Sequence, residues 1–129
     1  MSLERAGLEA MRALRPDWTL GLLAATALGN LTRVEADFLA VNTSLASAGF
    51  IRRAHDRGKQ VWAWTVNDPL AMSRLISLGI DGLITDRPAL AREVLRERAG
   101  LSPVERLLLQ AAIVFDRPLA GPDRTDGVP

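Results

Sequence analysis

The chain has 129 residues, with sixteen Lys and Arg against fifteen Asp and Glu and a formal charge of +1. That balance excludes nucleic-acid or anionic-membrane binding driven by bulk charge, and the lack of cysteine excludes disulfides, thiolate zinc sites and cysteine nucleophiles. No apolar run reaches the 18 or so residues of a membrane span, and the length is that of one ordinary domain.

The N-terminus carries acidic and basic residues where a signal peptide is apolar, which favours the cytoplasm; a signal belonging to a longer parent would lie upstream of Met1-Ser2-Leu3. Leu3 to Leu14 is predicted helical, with Leu3, Gly7, Ala10, Met11 and Leu14 on one face. Arg15-Pro16-Asp17 breaks it, and Trp18 to Ala25 supplies a largely apolar strand. Leu28 to Val34 reads as a short crossover, and Asp37 to Asn42 as the next strand. Ser44 or Ser47 can cap the following helix, in which Phe50, Ile51 and Ala54 face the sheet, and Gly58 closes it.

Val61 to Val66 is a run of apolar, aromatic and β-branched residues without polar alternation, the pattern of a strand buried on both faces of a parallel sheet. Asp68 is placed to cap the next helix and Pro69 suits its first position, because proline lacks only an N–H that would be unpaired there. Ala71, Met72, Leu75 and Ile76 form one helical face and Gly79 stops the helix. Gly82 to Thr85 is the fourth strand, after which Asp86 and Pro88 repeat the Asp/Pro helix start. The resulting helix runs to Arg98 and ends at Gly100.

Four strands with helical segments between them predict an α/β fold with one parallel sheet and right-handed crossovers, and no residue pattern is seen to recur between units. Ser102-Pro103-Val104-Glu105 has the form of a capping box for a further helix to about Phe115, apolar enough to pack on the rest of the domain or on a partner. Asp116 to Pro129 reads as a flexible tail. The divisions are therefore 1–100, 101–115 and 116–129.

The motifs Trp64-Thr65-Val66-Asn67 and Asp81-Gly82-Leu83-Ile84-Thr85-Asp86-Arg87-Pro88, in that order and at that separation, resemble the end of the glycerophosphodiester phosphodiesterase family. The resemblance spans roughly Leu3 to Arg98. It implies that the four βα units are the C-terminal half of a (β/α)8 TIM barrel whose chemistry sits at the C-terminal ends of the strands. It also implies a His-Arg pair, a Glu-x-Asp, a further His and a Glu in the other half. None of these can be placed here, so no catalytic residue and no metal ligand is assigned to this chain.

What the resemblance implies for the complete enzyme is hydrolysis of a glycerophosphodiester, a small-molecule substrate, to an alcohol and glycerol 3-phosphate, with a divalent metal, calcium or magnesium. This chain alone would be inactive and bind no metal. The competing expectation is a noncatalytic half-barrel module that self-associates or binds a partner. Four parallel strands leave two edges and an apolar inner face, to be covered by an N-terminal half-barrel or by a second copy.

Trp64, Thr65 and Asn67 are the candidate substrate-binding residues, with Trp64 either a pocket wall or a layer-filling aromatic. Trp62 is expected on the face opposite Trp64. Asp68 and Asp86 end adjacent strands and could act as rim carboxylates or simply begin helices. Asn42 and Thr43 are further candidates. His55, the lone histidine, lies on a helix returning toward the N-terminal side of the sheet, away from the rim.

Overall fold

The computed structural model describes residues 1–26 and 30–115. The elements run α1 (Arg5–Leu14), β1 (Gly21–Ala24), β2 (Phe38–Asn42), α2 (Ala48–His55), β3 (Gln60–Trp64), α3 (Pro69–Ser77), β4 (Gly82–Leu83), α4 (Pro88–Ala99) and α5 (Pro103–Phe115), with 3-10 turns at Leu31–Arg33 and Thr43–Leu45. The four strands form one parallel sheet in the order β1-β2-β3-β4. Each is shorter than predicted, because pairing stops where the chain must leave the sheet. Thus Trp18 lies outside β1, 47% exposed, with the Arg15 guanidinium 4.6 Å above its ring.

Local chemistry sets the helix ends. Ser47 Oγ accepts from Phe50 N–H and Asp68 Oδ2 from Ala71 N–H, so α2 and α3 are capped as their sequences predict. Gly58 and Gly79 follow these helices with φ of 68° and 86°, a conformation that a side chain resists. The capping box of α5 forms in full: Glu105 N–H donates to Ser102 Oγ at 3.3 Å and Ser102 N–H to Glu105 Oε2 at 2.7 Å. These bonds hold the Glu105 carboxyl below its usual range, the Ser102 amide being the larger cause. Asp86 does not cap α4. Arg87 holds that position without a side-chain bond, since Asp86 stands one residue further from Pro88 than Asp68 does from Pro69.

Register decides which residues share a face. Leu22, Leu39 and Val61 lie side by side, as do Ala24, Val41, Ala63 and Leu83. These rows form the core together with Leu8, Ile51, Ala54, Met72, Leu75 and Val94 from α1 to α4. Leu39, Ile51 and Met72 are almost wholly buried, each worth about 1.5–3 kcal/mol relative to exposure. The rows between them, Gly21-Phe38-Gln60 and Leu23-Ala40-Trp62-Gly82, face the other way. On this inner face Phe38 and Trp62 stack with centroids 5.0 Å apart. They lean over Gly21 and Gly82, where an added Cβ would lie 2.1 Å and 2.8 Å from the respective rings.

Trp64 is on this inner face too. The expectation that Trp62 and Trp64 point to opposite sides is corrected: residues two apart along a strand share a face, and only their neighbour Ala63 turns to the helices.

Two further differences from the sequence reading concern edges. The first helix begins at Arg5 rather than Leu3, because Ser2 adds to the outer edge of β1: Ser2 N–H donates to Gly21 O and Leu23 N–H to Ser2 O, at 2.9 and 2.8 Å. The crossover predicted from Leu28 contains the turn Leu31–Arg33, in which Asn30 Oδ1 accepts from Thr32 N–H and Oγ–H, and Arg57 donates to the buried Thr32 hydroxyl. Helix α5 lies on α3, with Leu109 and Ile113 half-buried and Val104, Leu107, Leu108 and Phe115 exposed. The predicted tail, 116–129, is outside the described residues.

Candidate functional site at the C-terminal rim of the sheet

The residues singled out in the sequence gather where β3 and β4 end. Trp64 closes β3, half-buried, and its indole N–H donates to Ala40 O at 3.0 Å on the neighbouring strand. The ring is thereby laid across the inner face toward β2 with its only donor occupied, so what it offers a ligand is its apolar face. Thr65 is exposed at the rim.

Asn67 joins the two loops. Its Oδ1 accepts from Thr85 Oγ–H at 2.9 Å and from Asp86 N–H at 3.0 Å, while its Nδ2 donates to Asp86 Oδ2 at 3.0 Å. Arg87 completes the set, its N–H bonded to Thr85 Oγ at 3.0 Å and its guanidinium 3.4 Å from Asn67 O. The strand ladder prolongs itself just below, with Ile84 N–H donating to Ala63 O and Val66 N–H to Ile84 O. Thr85 and Arg87 were not singled out in the sequence, although both stand inside the second motif.

The two rim carboxylates are separately engaged. Asp68 accepts from Ala71 N–H at 2.7 Å and so begins α3, while Asp86 is held by Asn67. Among the described residues no group of three or more His, Cys, Asp or Glu is arranged to hold a metal ion. Asn42 Oδ1 accepts from the amide and hydroxyl of Ser44 at 3.1 and 2.9 Å and shapes the loop after β2. Thr43 opens that 3-10 turn and lines a cavity of about 920 Å³ between α2 and α3, with Ser47, Arg52, Arg74 and Ile113. Trp64, Asn67 and Asp86 take no part in this cavity.

His55 is remote from the rim, as expected. Its Nε2 lies 2.7 Å from Asp81 Oδ2, and the same oxygen accepts from Val61 N–H at the start of β3. Among the described residues, no helix is long and apolar enough to cross a membrane.

Comparison with known proteins agrees with this geometry. "Probable glycerophosphodiester phosphodiesterase 2" of Mycobacterium tuberculosis is 48% identical over 48 residues, covering 37% of this chain and 18% of the relative. A Silicibacter pomeroyi structure superposes with a TM-score of 0.71 at 24% identity, covering 75% of this chain and 37% of that one. An Oleispira antarctica phosphodiesterase, solved with the product sn-glycerol-3-phosphate, gives 0.66 at 20% identity, covering 74% and 40%. The chain thus spans well under half the length of each of these proteins, and the sheet with its alternating helices corresponds to part of a TIM-barrel-like fold. The sequence model of the glycerophosphoryl diester phosphodiesterase family matches residues 3–90, from the edge of β1 to the start of α4 and including both rim motifs. On that match, the chain belongs to the glycerophosphoryl diester phosphodiesterase family.

Proposed function

We propose that this chain forms strands and rim loops of a glycerophosphodiester phosphodiesterase that, in the complete protein, hydrolyses a glycerophosphodiester to an alcohol and glycerol 3-phosphate. The observation that carries this reading is the family match through the ends of β3 and β4, where Trp64 and the Asn67 cluster lie. In such a reaction water adds to phosphorus, the bond to the alcohol oxygen breaks, and the departing alkoxide takes a proton. The part assigned to this chain is binding: the indole face of Trp64 packs against the carbon skeleton of the glycerol or alcohol, and the Thr65 hydroxyl stands at the rim to contact it. Asn67 and Asp68 shape that rim, since their side chains are bonded within the protein. A divalent ion of the complete enzyme, calcium or magnesium, takes its ligands from outside the residues described.

On this reading the isolated chain is inactive, and an N-terminal half-barrel covers its inner face. Purified chain is tested on glycerophosphocholine with and without calcium or magnesium. No hydrolysis is expected from the chain alone, and hydrolysis is expected once it is joined to a complementary N-terminal half. Turnover by the chain alone would refute its inactivity. A folded composite that cleaves no glycerophosphodiester would refute the function.

One observation favours a noncatalytic interaction module: α5 leaves Val104, Leu107, Leu108 and Phe115 exposed. Light scattering that gives a dimer mass, reverting to monomer in Leu108→Glu, would support that reading. A monomer with every apolar residue of α5 intact would remove self-association.

A further inference from the structure

The sequence offers Asn67 as a group for substrate, and in the structure its side-chain amide makes three bonds within its own protein. Three bonds at 2.9–3.0 Å fix its side-chain amide to Thr85 and Asp86, and its main-chain carbonyl accepts from the Arg87 guanidinium at 3.4 Å. Three residues earlier, at the end of β3, stands Trp64, whose indole is anchored to β2 through Ala40 O. Trp64 is thus held from two sides: its ring from β2, and its loop from β4 through Val66 N–H to Ile84 O and the Asn67 cluster. We infer that Asn67 is a positioning residue, whose amide locks the β3 rim loop to the β4 rim loop and thereby fixes the Trp64 indole at the mouth of the sheet. This inference rests on the reading of Trp64 as the wall of the substrate pocket for its consequence in catalysis, but its geometry does not require that reading.

The pairing has a definite polarity. Nδ2 of Asn67 must face the acceptor Asp86, and Oδ1 must face the donors on Thr85 and residue 86. Asn67→Asp keeps the shape and both acceptances but removes the Nδ2 donor and sets a second carboxylate against Asp86 Oδ2, where like charges repel. Adding Asp86→Asn restores one amide against one carboxylate with the total charge unchanged, so the double variant recovers the lock with donor and acceptor exchanged.

The test uses the whole chain with Trp18→Phe and Trp62→Phe, which leaves Trp64 as the sole tryptophan. In this background Asn67→Asp is expected to shift Trp64 emission to the red and raise its quenching by acrylamide, and Asn67→Asp with Asp86→Asn to return both to the parent values. Asp37→Ala, which removes bonds at the opposite end of the sheet, is the control: it lowers the melting temperature without moving Trp64 emission. Should Asn67→Asp fail to fold, Asn67→Ala is read in the same way. Unchanged emission and quenching in a folded Asn67 variant would overturn the inference, as would a double variant no closer to the parent than Asn67→Asp. None of these readouts involves hydrolysis, so failure of the phosphodiesterase reading would leave them standing and be seen separately.

Discussion

Asp37 and Asp81 hold equivalent stations two βα units apart. Asp37 Oδ2 accepts from the Leu20 amide leading into β1 and from Arg12 on α1, both at 2.7 Å. Asp81 Oδ2 accepts from the Val61 amide at the start of β3 and pairs with His55 on α2, again both at 2.7 Å. In each case one carboxylate just before a strand ties the start of the preceding strand to the helix that leads into it. A pattern does recur between units, then, at alternate strands and on the face away from the rim. In a TIM barrel that face carries stability while the opposite one carries chemistry.

Removing either carboxylate leaves a strand amide and a helix side chain, Arg12 or His55, without their partner. Asp37→Ala and Asp81→Ala are each expected to lower unfolding free energy by about 1–2 kcal/mol, toward the low end for hydrogen bonds to a charged group because both carboxylates are partly open to solvent. Urea denaturation followed by circular dichroism measures this. A loss in one variant alone would show that the two stations are not equivalent.

The Asp37 site also makes stability depend on pH. The Leu20 amide first, and Arg12 second, hold its carboxyl below the usual carboxylate range. A lowered folded value means that the folded state favours the ionised form. Its stabilisation is therefore complete above the unfolded value near pH 4 and is lost as pH falls through the lower folded value. Asp37→Asn should flatten the acid limb of a stability curve measured between neutral pH and pH 2. An unaltered slope would assign the acid sensitivity to other groups.

The βα order was legible because each transition carries its own local signal: Ser47 and Asp68 cap by short-range bonds, Gly58 and Gly79 take left-handed turns, and residues 38–41 and 61–64 are unbroken apolar runs. Local signals could not give what depends on register. That Asn67 reaches Thr85 and Asp86, or that Asp81 reaches Val61, follows from β3 and β4 pairing Trp62 with Gly82. Asp86 shows the same limit from the other side. Its motif resembles that of Asp68, but one intervening residue turns it from a helix cap into the partner of Asn67.

Gly21 is required by its neighbour rather than by its backbone angle. An added Cβ would stand 2.1 Å from the Phe38 ring, which is stacked on Trp62 and cannot withdraw without breaking that stack. Gly21→Ala should destabilise by about 1–3 kcal/mol, the usual cost of overpacking. In a double-mutant cycle Phe38→Leu should restore much of the loss, since the shorter side chain vacates the space above residue 21. Additive losses would mean that the alanine is accommodated by movement of the strand.

Arg98 joins α4 to α3 by a different device. Its Nη1 and Nη2 donate to Ser73 Oγ at 2.7 Å and Ser77 Oγ at 2.9 Å, hydroxyls one helical turn apart that the planar guanidinium spans with two nitrogens. Burial, and then the nearby Arg106, make the charged form of Arg98 less favourable than in water. The serine oxygens offset that cost only while both are in reach. Arg98→Ala should cost about 1–2 kcal/mol through the two lost bonds and the packing of the aliphatic stem. Arg98→Lys should recover less than half of this, because an ammonium on a flexible stem reaches one hydroxyl at a time. Ser73→Ala in the Arg98→Lys background separates the cases: if it lowers stability as much as it does in the parent, the fork is not what holds the two helices together.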